Sequence, residues 1–169
     1  AGILWPAAVA IAGELVGRVK PGQTVVDAGA GTGLVALTAA RLGARVIALD
    51  HDPFALRLID LAAADQRLTV ETRRFDLEGT SPLPRADLVV LADLLYDPDL
   101  ARAAALRAAE ALQHGASVLV GDPDRVGRDV FARTLRSIGT DVVFHTTRTI
   151  MPGEPEPVPM GIAWIGARP

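Results

Sequence analysis

The chain has 169 residues, a net charge of −3 and a hydrophobic fraction of 50%. This length fits one domain with one core, over residues 1–169. Acidic and basic residues are interspersed, so no basic stripe predicts nucleic-acid binding. No uncharged apolar run reaches the roughly 18 residues that a membrane span needs. No basic segment precedes a long apolar run at the start, so we expect a cytoplasmic location. We also expect a monomer without membrane contact.

Metal and thiol chemistry find no support in the composition. The sequence contains no cysteine, which excludes disulfides, thiolate metal sites and a cysteine nucleophile. Three histidines are present, His51, His114 and His145, and their spacing is not that of metal ligands. We therefore predict no metal site.

The first half of the chain alternates between short apolar runs and helix-favouring segments. A helix over residues 34–42 is favoured by Ala and Leu and ends at Gly43, and another over residues 53–64 begins at Pro53. Strands are predicted between and after these helices, at residues 24–27, 45–50 and 68–73. The order is therefore strand, helix, strand, helix, strand.

The second half continues the alternation and then changes. Strands at residues 87–92 and 117–120 are each followed by a helix, at residues 99–112 and 126–138. The last two predicted strands, at residues 142–147 and 161–165, are separated only by a proline-rich loop over 151–159. That loop is too short for a helical crossover and suits an antiparallel pair.

This order of elements predicts a Rossmann-like α/β fold. We expect a seven-stranded, mostly parallel sheet with helices on both faces and a C-terminal antiparallel hairpin. In such sheets, ligands bind beyond the carboxyl ends of the strands, near the point where the strand order reverses. Residues at strand ends are therefore the candidates for the site.

The turn after the first predicted strand reads Asp-Ala-Gly-Ala-Gly-Thr-Gly over residues 27–33. Gly29, Gly31 and Gly33 allow the backbone to approach a ligand and to pass tightly into a helix. A dinucleotide motif would have its third glycine one residue later, where Leu34 stands. Asp27 suits the cationic amino end of S-adenosylmethionine and would repel a pyrophosphate. The turn therefore predicts S-adenosylmethionine as cofactor; the alternative is a structural turn without a ligand.

Acids at two further strand ends are candidate cofactor ligands. Asp50 ends the second predicted strand, 17 residues after Gly33, where this fold places an acceptor for the ribose hydroxyls. As a helix N-cap it would compete with Asp52, which is better placed before Pro53. His51, the next residue, belongs to the same predicted set. Asp76 follows the third strand and is a candidate acceptor for the adenine amino group, or else an ordinary solvated loop acid.

The fourth predicted strand ends in a motif that faces the expected methyl group, Asp-Leu-Leu-Tyr over residues 93–96. Methyl transfer is an in-line displacement, so the protein must align a nucleophile and let it lose a proton. We assign both tasks to Asp93 and Tyr96, and the charge of Asp93 favours an amine substrate. The alternative is that Asp93 caps a helix and Tyr96 packs in the core.

Trp5, in the segment Leu-Trp-Pro near the start, has two interpretations. Its ring is a candidate cover for the cofactor or for the substrate entrance. A single Trp beside an apolar segment is more often part of the core. We include Trp5 among the predicted cofactor-binding residues.

Together these motifs resemble the seven-β-strand protein methyltransferases. The Trp-Pro pair at residues 5–6, the Asp-x-x-Tyr motif at 93–96 and the Gly-Asp-Pro-x-Arg turn at 121–125 look most like the electron-transfer-flavoprotein β-subunit lysine methyltransferases and their bacterial relatives, often called nicotinamide N-methyltransferase-like. Family members usually carry a further segment before the Trp-Pro pair, where four residues stand here.

The resemblance implies transfer of methyl groups to lysine amines of a folded protein, such as the electron transfer flavoprotein β subunit. It places Asp93 and Tyr96 at a lysine channel and Trp5 near the cofactor. Two other functions stay open at the level of the sequence. One is methylation of a small nicotinamide-like amine, and the other is a catalytically silent module that binds S-adenosylmethionine.

Overall fold

The computed structural model describes residues 3–166, in which helices and strands alternate along most of the chain. The helices are α1 (Pro6–Leu15), α2 (Leu34–Arg41), α3 (Pro53–Asp65), α4 (Pro98–Gln113) and α5 (Arg128–Ser137). The strands are β1 (Thr24–Ala28), β2 (Arg45–Asp50), β3 (Glu71–Arg74), β4 (Leu88–Ala92), β5 (Ser117–Asp122), β6 (His145–Thr149) and β7 (Val158–Ile165). No helix within residues 3–166 is long and apolar enough to cross a bilayer.

The seven strands form one sheet in the order β3-β2-β1-β4-β5-β7-β6. All pairs from β3 to β5 are parallel, whereas β7 runs antiparallel to both β5 and β6. The predicted Rossmann-like sheet with a C-terminal hairpin is therefore confirmed. The strand order reverses between β1 and β4, which opens a crevice at their carboxyl ends.

Both faces of the sheet are buried, which is why its central strands are almost continuously apolar. Val25 and Val26 are neighbours in β1, yet they belong to two different core clusters on opposite faces. One cluster includes Ile11, Val35 and Ile59 from α1, α2 and α3. The other packs the alanine-rich face of α4 and Phe131 of α5 against the sheet. Small side chains on α4 let its backbone approach the strands closely.

The structure differs from the sequence-based elements mainly at their ends. Helix α1 was not predicted, although Pro6 occupies a first helical position and its buried residues Ala7, Ile11 and Leu15 recur every four positions. Strand β3 begins three residues later than predicted, because the Leu68 amide donates to the Ala63 carbonyl (2.8 Å) and so closes the end of α3.

The two C-terminal strands also begin at other residues than predicted. Strand β6 starts at His145, because Val142 and Phe144 before it pack against the core, where the Phe144 ring meets Phe131 edge to face. Strand β7 starts at Val158, so its first residues belong to the predicted proline-rich loop. The hairpin is longer as a result, and its loop is shorter.

Candidate functional site

A cavity of about 790 Å³ lies at the carboxyl ends of β1, β2, β3 and β4. It brings together residues from five separate segments of the sequence, as expected for a crevice at a strand-order reversal. Of the residues predicted from the sequence, those that line it are Trp5, Gly29, Gly31, Asp50, His51, Asp76, Asp93 and Tyr96. Asp27 and Gly33 lie beneath this surface.

The three glycines of the turn serve different purposes. A Cβ on Gly29 would stand 2.6 Å from the Leu94 side chain, and one on Gly33 would stand 2.5 Å from the Ile59 side chain. The φ angles of 76° and 78° at these two positions further disfavour any residue but glycine. A Cβ on Gly31 would meet no atom within 4 Å. Gly31 therefore leaves open space in the cavity, whereas the other two allow the turn to pack against neighbouring elements.

Asp50 ties the glycine turn to the end of β2. One carboxylate oxygen accepts the Gly31 amide at 2.8 Å, and the other accepts the Asp52 amide at 2.9 Å. The His51 Nδ1 lies 3.5 Å from the same carboxylate. Because a carboxylate has about four acceptor sites, each oxygen can take a further donor from the cavity. Asp52, and not Asp50, caps α3 by accepting the Phe54 amide.

Asp27 is buried below the turn and supports helix α2. Its Oδ2 accepts the Ala36 amide at 3.0 Å, in the first turn of the helix. Burial raises the pKa of Asp27 to about 7, the helix hydrogen bond opposes this, and the nearby Asp50 adds to it. The Asp27 carboxyl therefore lies beneath the glycine turn and is not part of the cavity wall.

The segment after β3 forms the far wall of the cavity. Asp76 accepts the Glu78 amide at 3.0 Å, which folds the segment into a tight turn and leaves Phe75 and Leu77 beside it. Arg107 of α4 supports the turn from outside: its Nε donates to the Leu77 carbonyl, and its guanidinium lies 5.1 Å from the Phe75 ring centroid. Asp76 therefore has a fixed position at the cavity edge.

Asp93, directly after β4, combines three unusual features. Its backbone has a φ of 57°, a left-handed conformation that is rare for a non-glycine residue. The residue is buried, and its Oδ1 accepts a hydrogen bond from Arg125 Nε at 3.0 Å. Its Oδ2 is also buried and, like Oδ2 of Asp122, makes no hydrogen bond with any described residue. Buried polar atoms without a partner are rare and indicate a missing ligand or a functional role.

Tyr96 and Trp5 stand at the mouth of the cavity. They are 55% and 46% exposed, so neither packs in the core, and Asp97, not Asp93, caps α4. Both residues also line a second cavity of about 560 Å³, whose remaining wall is Pro6 and the loop between β5 and α5. The two aromatic residues therefore separate the two cavities.

The larger cavity is rich in negative charge. Its lining includes one arginine, Arg74, against six carboxylates. The carboxylates are Asp50, Asp52, Asp76, Glu78, Asp93 and Asp97. Such a wall attracts cationic groups and disfavours phosphates. Within residues 3–166, no group of three His, Asp or Glu side chains is arranged to hold a metal ion.

Comparison with known proteins identifies the family. The fold is similar to that of a methyltransferase from Pyrococcus furiosus, with a TM-score of 0.71 at 15% identity over 95% of this chain and 83% of the other. It is also similar to magnesium protoporphyrin IX methyltransferase from Synechocystis with bound SAH, with a TM-score of 0.63 at 18% identity over 94% and 82% of the two chains. A family model for a methyltransferase domain matches residues 25–115. The chain belongs to the class I S-adenosylmethionine-dependent methyltransferases.

Two groups of relatives of this methyltransferase domain have names that state a protein target. The electron transfer flavoprotein beta subunit lysine methyltransferase of Mus musculus is 33% identical over 139 residues, which cover 73% of this chain and 50% of that protein. The ribosomal protein L11 methyltransferase of Desulfitobacterium hafniense is 41% identical over 93 residues, or 50% and 29% of the two chains. The methyltransferase domain thus aligns with about half the length of its flavoprotein-methylating relatives.

The cofactor of this methyltransferase family is S-adenosylmethionine, and the cavity residues fit it. The open face of Gly31 leaves room for a ligand against the backbone, and Asp50 has spare acceptor capacity for a ribose. The carboxylate-rich wall complements a ligand that carries both a sulfonium and an ammonium group. Asp50 and the turn at residues 29–31 are thus the residues that would hold it.

Sequence reasoning assigned no role to several residues of this methyltransferase site. Arg125 was noted only as part of a turn motif, yet it binds the carboxylate of Asp93. Arg74 and Thr32 line the cavity as well: Arg74 ends β3, and Thr32 lies inside the glycine turn, between Gly31 and Gly33. The strand end and the turn were the available signals.

Proposed function

We propose that this chain is the catalytic domain of a protein-lysine methyltransferase that acts on a folded partner such as the electron transfer flavoprotein β subunit. The observation that carries the proposal is the buried Oδ2 of Asp93, which has no hydrogen-bond partner among the described residues. Asp93 and Tyr96 line the same cavity. An amine N–H is the complementary group. The names of both groups of relatives, in which a protein is the target, support a protein acceptor over a small amine.

Bound S-adenosylmethionine supplies a methyl group activated by a sulfonium. The tasks of this chain are to align the acceptor nitrogen and to relieve it of a proton. Asp93 accepts an amine N–H at Oδ2 and thereby orients the nitrogen lone pair. The exposed ring of Tyr96 packs against the methylene stem of the lysine, and with Trp5 it keeps water from the cavity mouth.

Methyl transfer to purified acceptors tests the proposal. Isotope-labelled S-adenosylmethionine is incubated with the protein and with either electron transfer flavoprotein β subunit, ribosomal protein L11 or nicotinamide, and labelled residues are mapped by mass spectrometry. We expect label on a lysine of the flavoprotein subunit, and a loss of about 10²-fold or more in rate for Asp93→Asn.

The matched control is Asp65→Asn, an exposed acid at the end of α3, which should leave the rate unchanged. Label on nicotinamide alone would contradict the protein acceptor and indicate the small-molecule function. Failure to bind S-adenosylhomocysteine in a calorimeter would exclude catalysis altogether. Label on L11 alone would keep protein methylation and reject the flavoprotein partner.

A further inference from the structure

Arg125 links two residues that line the larger cavity, Asp93 and Trp5. Its Nε donates to Asp93 Oδ1 at 3.0 Å, and its guanidinium carbon lies 5.5 Å from the centroid of the Trp5 ring. Asp93 follows β4, Trp5 precedes α1, and Arg125 belongs to the loop between β5 and α5. One side chain therefore joins three segments that are far apart in the sequence.

The loop that carries Arg125 is itself firmly anchored. Asp122, at the end of β5, is fully buried, and its Oδ1 accepts both the Arg125 amide at 2.9 Å and Arg128 Nε at 3.0 Å. A carboxylate that binds a backbone amide and a guanidinium fixes the loop on two sides. Arg125 thus extends from an anchored base, and its side chain is one-third exposed.

We propose, building on the proposed lysine-methylating function, that Arg125 is the positioning residue of the acceptor side. By holding Oδ1 of Asp93, it fixes the carboxylate in the rotamer that leaves Oδ2 free for the acceptor amine. By lying over Trp5, it holds that ring between the cofactor cavity and the second cavity. The positions of Asp93 and Trp5 are therefore coupled through Arg125.

The chemistry of arginine suits this double contact. A guanidinium donates hydrogen bonds in its plane while its flat face lies on an aromatic ring, so one group makes both interactions at once. A lysine ammonium is a compact point charge and cannot keep both contacts in the same geometry. Arg125→Lys should therefore keep the positive charge but lose the alignment of Asp93 and Trp5.

Kinetics separate positioning from a purely structural role. In Arg125→Met we expect kcat to fall by about 10²-fold, since a misplacement of about 1 Å has that effect. The Kd for S-adenosylhomocysteine should change much less than kcat does, because Arg125 does not itself line the cofactor cavity and acts there only through Asp93 and Trp5. Arg125→Lys should recover only part of kcat. Arg133→Met, an exposed arginine of α5, is the matched control.

An unchanged kcat in Arg125→Met would overturn the proposal. So would equal losses in kcat and in cofactor affinity, because these indicate a general collapse of the loop. If the unsubstituted chain transfers no methyl group to any acceptor, the proposed function fails, and a measurement without catalysis then decides the role of Arg125.

Fluorine NMR of protein labelled with 5-fluorotryptophan provides that measurement. The sequence has two tryptophans, and each lies near one arginine: Arg125 near Trp5, and Arg18 at 5.9 Å from Trp164. We expect Arg125→Met and Asp93→Asn to shift the same Trp5 signal, because the ion pair holds the guanidinium over the ring. Arg18→Met should shift only the Trp164 signal. A Trp5 signal that does not respond to Asp93→Asn would overturn the coupling.

Discussion

At the scale of single residues, Asp50 combines two roles in one carboxylate. It accepts the Gly31 and Asp52 amides, and these bonds shape the turn that faces the cavity. Its remaining lone pairs point to a ligand role, for which the ribose hydroxyls are the proposed partners. Asp50→Asn keeps one acceptor oxygen, so it preserves one of the two backbone hydrogen bonds and places an NH2 group against the other amide. Its effect on the fold is therefore measured together with its effect on the cofactor.

We predict that Asp50→Asn weakens binding of S-adenosylhomocysteine by about 10- to 100-fold, since a hydrogen bond to a charged acceptor contributes about 1.5–3 kcal/mol. Titration calorimetry measures the Kd, and urea unfolding checks that the protein remains folded. Asp65→Asn, at the exposed end of α3, should bind as the unsubstituted protein does. A change below twofold in Asp50→Asn would reject the ribose role.

The sequence indicates which carboxylates stand at strand ends, but not how deeply each one is buried. Asp50 and Asp93 line the cavity, whereas Asp27 lies beneath it, although all three follow the same pattern of a carboxylate after an apolar run. Depth depends on packing partners that are distant in sequence: Ile59 stands over Gly33, and Leu94 over Gly29. No local pattern contains that information.

At the scale of elements, the loop between β5 and α5 depends on one buried ion pair. Arg128 donates to Asp122 Oδ1 and also meets Asp124 at 2.7 Å, and its guanidinium lies 4.7 Å from the Phe144 ring centroid. Removal of one partner from a buried pair leaves an uncompensated charge, which costs more than the pair itself contributes.

We predict that Arg128→Met lowers the free energy of unfolding by about 3–5 kcal/mol, because Asp122 is fully buried and would lose its cation. The double variant with Asp122→Asn should regain part of that loss, since no buried charge remains. Arg136→Met is the matched control: its ion pair with Asp141 is exposed and contributes less than about 1 kcal/mol. Equal effects of the two arginine variants in urea unfolding would contradict the prediction.

The element order was predictable because alternating apolar runs and helix signals are local. Helix α1 was missed because its sequence is almost uniformly apolar, so its polar face gives no periodic contrast. The start of β3 shifted because a local backbone hydrogen bond from Leu68 closes α3, and the start of β6 shifted because Phe144 packs on Phe131. Periodicity identifies an element, whereas its neighbours decide where the element ends.

At the scale of the whole molecule, the strand order explains why the site is where it is. Parallel strands β1, β2, β3 and β4 end at one edge, and the reversal between β1 and β4 separates their following helices. The glycine turn and Asp93 therefore face each other across the crevice although 60 residues separate Gly33 from Asp93. Asp27 is buried in the same core, so its carboxyl is shielded from water.

The stability of the whole protein should depend on pH through Asp27. Burial raises its pKa from 3.8 to about 7 in the folded protein, so between about pH 4 and 7 the folded chain binds a proton that the unfolded chain has lost. The free energy of unfolding therefore falls as the pH rises through this range, and is level above it. From pH 5 to 7 the fall attributable to Asp27 is about 2–3 kcal/mol, since one pH unit corresponds to about 1.4 kcal/mol.

Asp27→Asn isolates this contribution, because the amide is neutral at every pH and its oxygen still accepts the Ala36 amide. Urea unfolding at pH 5, 6, 7 and 8 should show a shallower fall for the variant, which gains on the unsubstituted protein as the pH rises. Asp65→Asn controls for the general loss of one carboxylate, because that side chain is exposed in the fold. Parallel pH profiles for Asp27→Asn and the unsubstituted protein would show that Asp27 is already charged in the folded state at pH 5.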